Sequence, residues 1–277
     1  MVRQHLLAAE LRKLRQAARL THTDVASRLG WPQAKVSKIE GARQHVGIDA
    51  VIALADICHA GTEHRDQLVE LARSARERGW WESYRDVLAA DRRQQVGFES
   101  EAAVVRAFAV DVVPDLLQTE DYAAAVLEAR RPGASTAELD RWREVLRRRR
   151  ARLDDGGLAL DLALGESALH REVGGPAVLA DQLRWLRELA ARPGITLRVL
   201  PFSAGALATD ESFELLSFSL GLPDVVVRPA GAGVEMIEER GTVAAYSELL
   251  ERMRASALPP EESARRIAAG RRVPSTT

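Results

Sequence analysis

The stretch that most restricts how this chain can fold is "LTHTDVASRLGWPQAKVSKIEGAR", residues 20 to 43, two short helical patterns separated by a glycine and a proline. Thr21 offers a side-chain oxygen to a helix start and Asp24 lies three residues on, which approximates a capping box. Val25, Ala26 and Leu29 share an inward face. Gly30 suits the left-handed end of that helix, and Pro32 stands at or beside the start of the next, where its missing N–H costs least. The second helix has only Val36 and Ile39 to bury, whereas Gln33, Lys35, Ser37 and Lys38 face out. Two short helices therefore meet at a tight turn, and the small side chain of Ala26 permits a close crossing.

A helix with one thin apolar edge and an opposite side rich in donors for phosphates and base edges is suited to entering a groove of duplex DNA. The bland alternative is an ordinary solvated surface helix. Spacing, turn glycine, small residue and local charge agree on the first reading. Residues 1 to 45 hold nine Lys/Arg against three acids, and the rest of the chain 30 against 37, within an overall charge of −1. A cationic head on an acidic body is expected where one end meets a polyanion, with chance in an Arg-rich chain as the competing account.

Around this pair, residues 6 to 18 place Leu6, Leu7, Leu11, Leu14 and Ala18 on one helical face. Residues 47 to 58 ("GIDAVIALADIC") and 64 to 78 ("HRDQLVELARSARER") continue the helical period, giving an N-terminal region of about five helices. "LRKLR" followed by "LTHTDVASRLGWPQAKVSKIEGAR" resembles the helix-turn-helix regulators of the xenobiotic response element type, relatives of the lambdoid phage repressors, over about residues 6 to 60. The resemblance implies that Gln33, Ala34 and Lys38 read bases, with Lys35 and Ser37 alongside, and that Arg43 meets the DNA backbone. It also implies an Arg15–Glu40 pair that ties helix one to the recognition helix as scaffold. His22 replaces a glutamine that this family often uses to hold a phosphate, and it retains a ring nitrogen able to donate. Pro32 replaces a capping Ser or Thr, so one phosphate contact is expected to be absent. A single such module buries only about 600–1,000 Å², and operators are commonly read as paired half-sites, so a homodimer on double-stranded DNA is expected.

The length of 277 residues suits two domains, divided here as 1–79 and 80–277. Trp80, Trp81 and Tyr84 follow Gly79, where an aromatic cluster is expected to pack a joint. The second domain reads as α+β with a sheet of four or five strands. Helices are predicted over 99–109, 120–130 and 136–153, and strands over 158–164, 195–202, 213–219 and 224–229. "PAVLADQLRWLRELAAR" supplies a helix between the first two strands. A last helix over 241–257 precedes "LPPEESARRI" and a frayed tail. "WWESYRDVL", "VPDLLQTEDYA", "VGGPAVLADQLRWL" and "ITLRVLPFSAGA" look like the C-terminal domain of a large group of actinobacterial regulators described as antitoxin-like. That resemblance covers most of residues 80 to 265. It implies a regulator whose body receives a signal, commonly from a small partner protein encoded beside it. The alternatives are a small apolar ligand between sheet and helices, and, with less support, an enzyme with an accessory DNA-binding head.

Chemistry-bearing motifs are sparse. The single cysteine, Cys58, excludes an internal disulfide framework and lies in an apolar helical phase, so it is expected to fill a core in a cytoplasmic protein. No run approaches the roughly 20 apolar residues that span a bilayer, and no membrane association is expected. There is no phosphate loop, dinucleotide fingerprint, nucleophile elbow or zinc-ligand spacing, so no catalytic residue, metal or other cofactor is expected. Glu166 and His170 are four apart but make no site alone. Thr119 is expected to cap a helix within "LLQTEDY". "RRRRARLDD" (147–155) reads as the end of a solvated helix. In "LPFSAGA", Phe202, Ser203 and Gly205 form a weak ligand or partner site, if the small residues leave backbone N–H groups open.

Overall fold

Helices joined by short turns build the first unit, Met1–Trp80, of the computed structural model, and a mixed sheet with helices builds the second, Trp81–Thr277. The structure describes residues 2–76, 79–207, 209–219, 223–231 and 233–270. In the first unit α1 (Val2–Ala17), α2 (His22–Leu29), α3 (Gln33–Glu40), α4 (Ile48–Ile57) and α5 (Thr62–Ser74) surround one apolar core. Leu7, Leu11 and Leu14 of α1, Val25 and Ala26 of α2, Val36 and Ile39 of α3, Val51, Leu54, Ala55 and Cys58 around α4, and Leu68 and Ala72 of α5 are buried together. Ile57 is less buried than Leu54 and Cys58, so α4 is rotated slightly from the phase read in the sequence. The predicted helix over 64–78 ends at Ser74, and its residues 77 and 78 lie outside the described residues.

The second unit contains α6 (Ala90–Glu99), β1 (Val104–Ala109), α7 (Glu120–Arg130), α8 (Thr136–Asp154), β2 (Ala159–Gly165), α9 (Pro176–Ala190) and β3 (Ile195–Leu200). These are followed by β4 (Phe213–Ser217), β5 (Val225–Ala230), β6 (Gly233–Ile237), α10 (Arg240–Ser256) and α11 (Pro260–Ala269). The sheet order is β3-β2-β1-β4-β5-β6. β1, β2 and β3 are parallel, and β4, β5 and β6 continue antiparallel. The parallel half arises because helices return the chain between strands, α7 and α8 after β1 and α9 after β2, whereas the antiparallel half needs only short connections. Phe108, Ala163, Phe213, Leu215 and Val226 pack on one face against Leu250 and Met253 of α10.

The sheet has six strands where four or five were expected, and four elements differ from the reading of the sequence, among them the edge strand β6, for which no strand was predicted. Residues 104–109 form the central strand β1 and not the end of a helix; Val105, Ala107, Phe108 and Ala109 are buried, and a strand covered on both faces has no alternation to betray it. Residues 90–99 form α6, with Gly97 inside it. A Cβ there would stand 3.1 Å from the Trp81 indole, so the glycine admits the ring rather than breaking the helix. "PEESARRIAA" is helix α11, which packs on β3. Ser263 Oγ accepts from Val199 N at 2.9 Å and Leu258 N donates to Val199 O at 2.8 Å, occupying the outer edge of β3. The predicted frayed tail, 271–277, lies outside the described residues.

Side-chain amides fix the layer under the sheet. Gln182 of α9, fully buried, donates through Nε2 to Leu117 O at 2.8 Å and accepts from Thr119 N at 2.7 Å. Thr119 caps α7 by accepting from Tyr122 N at 3.4 Å, as the sequence predicts. "LLQTEDY" and "ADQL" are therefore parts of one joint. Nearby, Arg149 of α8 grips Glu99 with two bonds of 2.8 and 2.6 Å, both residues almost wholly buried.

Glu214 of β4 lies beside this pair and accepts from Gln95 Nε2 at 3.2 Å. Burial first, and then the negative charge of Glu99, push its carboxyl up to about 7, against the pull of Arg149. An acid whose pKa is raised on folding binds more protons in the folded state, so stability falls as pH rises toward that value. Glu214→Gln keeps the acceptor for Gln95 and removes the charge. The variant should match the wild type near pH 4 and exceed it at pH 8 by up to about 3 kcal/mol, measured as unfolding midpoints of both proteins across that range.

Candidate nucleic-acid interface

The helix pair α2–α3 is built by local rules. Thr21 and Asp24 close a reciprocal capping box, with Thr21 N donating to Asp24 Oδ2 at 2.8 Å and Asp24 N to Thr21 Oγ1 at 3.1 Å. Gly30 ends α2 at φ +65°, and Trp31 N returns to Ala26 O at 2.8 Å. Pro32 caps α3 without any side-chain acceptor, so the first amides of α3 have no oxygen from the residue where a Ser or Thr would supply one.

Val36 and Ile39 are buried to 0% and 2% exposure, whereas Gln33, Ala34 and Lys38 are exposed and Ser37 is partly so. At 100° per residue, Gln33, Ser37, Ala34 and Lys38 fall in one stripe opposite the buried pair. Lys35 lies at the stripe's flank, its ammonium 3.7 Å from the centroid of the Trp31 ring, which itself packs on the core. That cation–π contact holds Lys35 close to the helix start. Trp31 is a residue that the sequence reading passed over, and its position just before the proline is the signal that could have found it.

Arg15 and Glu40 form the pair that the resemblance implies. Arg15 Nε and Nη2 donate to the two Glu40 oxygens at 2.7 and 2.9 Å, and Nη1 donates to Leu20 O at 2.7 Å. His22 stands differently from the phosphate role expected of it, because its Nε2 lies 2.9 Å from Glu40 Oε2. A neutral imidazole that donates through Nε2 has no second N–H, so His22 can also donate to a phosphate only as imidazolium. Burial raises the Glu40 carboxyl, but the bonds from Arg15 and His22 outweigh it and hold it below the ordinary carboxylate range.

Past the helix, Arg43 is exposed and its N–H closes the turn on Lys38 O at 2.8 Å. The left-handed position there belongs to Ala42, at φ +52°, while the preceding Gly41 is at φ −92°. Gln4 Nε2 holds the Ala42 carbonyl at 2.9 Å. An L-residue in this region costs roughly 1–2 kcal/mol.

The weaker candidates lie in the second unit. Phe202 is 67% exposed and stacks on His170 with centroids 6.1 Å apart. The N–H groups expected to be open are partly engaged: Phe202 N donates to Glu166 Oε2 at 2.7 Å, Ala204 N to Pro201 O at 2.9 Å and Gly205 N to Phe202 O at 3.2 Å. Ser203 is exposed within that turn. Glu166 is held by Arg266 at 2.6 Å and lies 4.0 Å from His170, so its role here is to fix the turn. Among the described residues no group of three or more His, Cys, Asp or Glu is placed to hold a metal ion, and no helix is long and apolar enough to cross a membrane.

Two outcomes follow from the charge pair and the turn. Glu40→Gln should destabilise the first unit by about 3 kcal/mol at pH 7, because it leaves Arg15 without its carboxylate. Since Glu40 is lowered on folding, the wild type should lose this advantage as pH falls through the folded value, so the two denaturant midpoints converge in acid. Ala42→Gly should stabilise the first unit by up to about 1 kcal/mol after the added freedom of the unfolded chain is deducted, read as a higher thermal midpoint.

A family model described as a helix-turn-helix domain matches residues 6–68, which begins within α1, spans α2 to α4 and reaches into α5. No curated protein and no solved structure matches the chain. A second family model, covering residues 92–269 and thus more than half of the sequence, matches the second unit. The chain therefore carries a DNA-binding helix-turn-helix head of the kind found in regulators, and belongs to the family described as domain of unknown function (DUF5753).

Proposed function

We propose that this protein is a sequence-specific transcriptional regulator of the xenobiotic response element type, in which α3 enters the major groove. The observation that carries the reading is the exposed stripe of Gln33, Ala34, Ser37 and Lys38 opposite the buried Val36 and Ile39. In it Gln33 suits adenine, which offers an acceptor and a donor to an amide, and Lys38 suits guanine, which offers two acceptors. Ala34 admits a thymine methyl. Lys35, Ser37 and Arg43 supply phosphate contacts, and His22 adds one when protonated. Two heads on paired half-sites make a homodimer the working unit.

The second unit is proposed to receive the signal, from a small partner protein in the antitoxin-like mode. Phe202 and Leu207 support this, being the large apolar side chains that stay exposed among the described residues. Rings and aliphatics left in water within one loop are the usual anchors of a protein contact.

Footprinting on DNA upstream of the protein's own gene should define an operator with two half-sites. Gln33→Ala and Lys38→Ala should each cost about 1–3 kcal/mol on that operator and relax base preference at one position per half-site. Lys35→Ala and Arg43→Ala should weaken all sequences alike and make the salt dependence shallower. Unchanged affinity and preference in both Gln33→Ala and Lys38→Ala would remove α3 from the interface.

A further inference from the structure

The second unit holds a cavity of about 660 Å³ between "RDVLA", the end of α7 and Pro229, Gly231 and Gly233. It adjoins a smaller chamber of about 260 Å³, and Arg92, Asp115, Arg130 and Pro229 line both. This size falls within the range of sites for small organic molecules. Two of the segments singled out in the sequence, "WWESYRDVL" and "VPDLLQTEDYA", meet here, although neither has a part in the DNA-binding head.

The walls divide by chemistry. Val87, Leu88, Val126, Leu127 and Trp142 form an apolar side. Most charges around the cavity are matched: Asp86 accepts two bonds of 3.0 Å from Arg141, Arg131 pairs with Glu138 at 3.2 Å, and Arg85 with Glu82 at 2.6 Å. The exception is the centre. Arg92 and Arg130 share one carboxylate, Asp115, at 3.5 and 3.7 Å, with Arg92 also donating to Gln95 Oε1 at 3.1 Å, and Arg149, already committed to Glu99, approaches Asp115 at 3.7 Å. The separations from Asp115 exceed the usual N–H···O length of about 2.7–3.2 Å. Two guanidiniums therefore face the cavity with one acid between them, an excess of positive charge beside a greasy wall. Glu214 lines the smaller chamber, and with a carboxyl pushed up to about 7 it adds less than a full negative charge at neutral pH.

We propose that this cavity binds a small amphipathic carboxylate, its acid group between Arg92 and Arg130 and its apolar body along Leu88, Val126, Leu127 and Trp142. The planar fork of arginine fits a carboxylate with two parallel bonds, and Arg130, only loosely paired at 3.7 Å, gives up little to make them. The site deepens the signal-receiving reading by naming a second class of effector, yet its occupancy needs no DNA and is tested apart from the operator.

Isothermal titration of the full chain without DNA, with decanoate and 1-naphthoate as acid probes and decan-1-ol as the neutral match, decides the matter. At least one acid should saturate at one per chain, and decanoate should bind at least tenfold more tightly than the alcohol. Arg130→Gln should lower acid affinity tenfold or more and abolish the preference over the alcohol, whereas Arg187→Gln, on the exposed side of α9, should change neither. Leu127→Trp narrows the cavity without removing a charge and should give a comparable loss, which keeps the test open should Arg130→Gln disturb folding. The proposal is overturned by failure of both acids to saturate, by equal binding of decanoate and alcohol, or by unaltered acid affinity in Leu127→Trp.

Discussion

A helix of eight residues with two buried side chains, as α3 is, cannot hold its own position, and the Arg15–Glu40 pair is what supplies the rest. Isolated helices shorter than about 12–15 residues are marginal in water. Burial of Val36 and Ile39 contributes roughly 1.5–3 kcal/mol each, comparable with the roughly 3–5 kcal/mol expected for breaking a buried ion pair. Arg15 does more than meet a charge. Its third contact, on the Leu20 carbonyl, anchors the chain just before Thr21 opens α2, so one guanidinium fixes the ends of both short helices. His22 adds a further bond to the same carboxylate, which makes Glu40 the hub on which α1, α2 and α3 converge.

Much of the first unit was legible because its rules are local. The capping box, the left-handed Gly30, the proline at the next helix start and the burial of Val36 and Ile39 all follow from residues within about four of one another. The stripe of exposed donors was legible for the same reason. What escaped was the imidazole of His22, turned to Glu40 by a tertiary contact across 18 residues, and the ring of Trp31 under Lys35, a local contact four residues apart.

The second unit shows where pattern fails. β1 reads as a helix because "EAAVVRAFA" is alanine-rich, yet its position between β2 and β4 buries both faces and erases the alternation by which a strand is recognised. α6 was hidden by Gly97, a helix breaker in isolation that here makes room for an indole. α11 did carry its signal, since Pro260 at the first turn and the acids Glu261 and Glu262 behind it are a helix start. The cavity was not legible at all: Arg92, Asp115 and Arg130 come from three elements, and only the folded sheet brings them to one centre.

The position of α11 bears on how such a chain survives its own synthesis. β3 lies at the margin of the sheet, and its Val199 amide and carbonyl find partners in Ser263 and Leu258, about sixty residues downstream. Until the ribosome has released that segment, the strand offers an open ladder to any neighbouring polypeptide. A nascent or clipped molecule ending before residue 258 would be a template for edge-to-edge stacking, and the last helix is the stopper that ends that hazard.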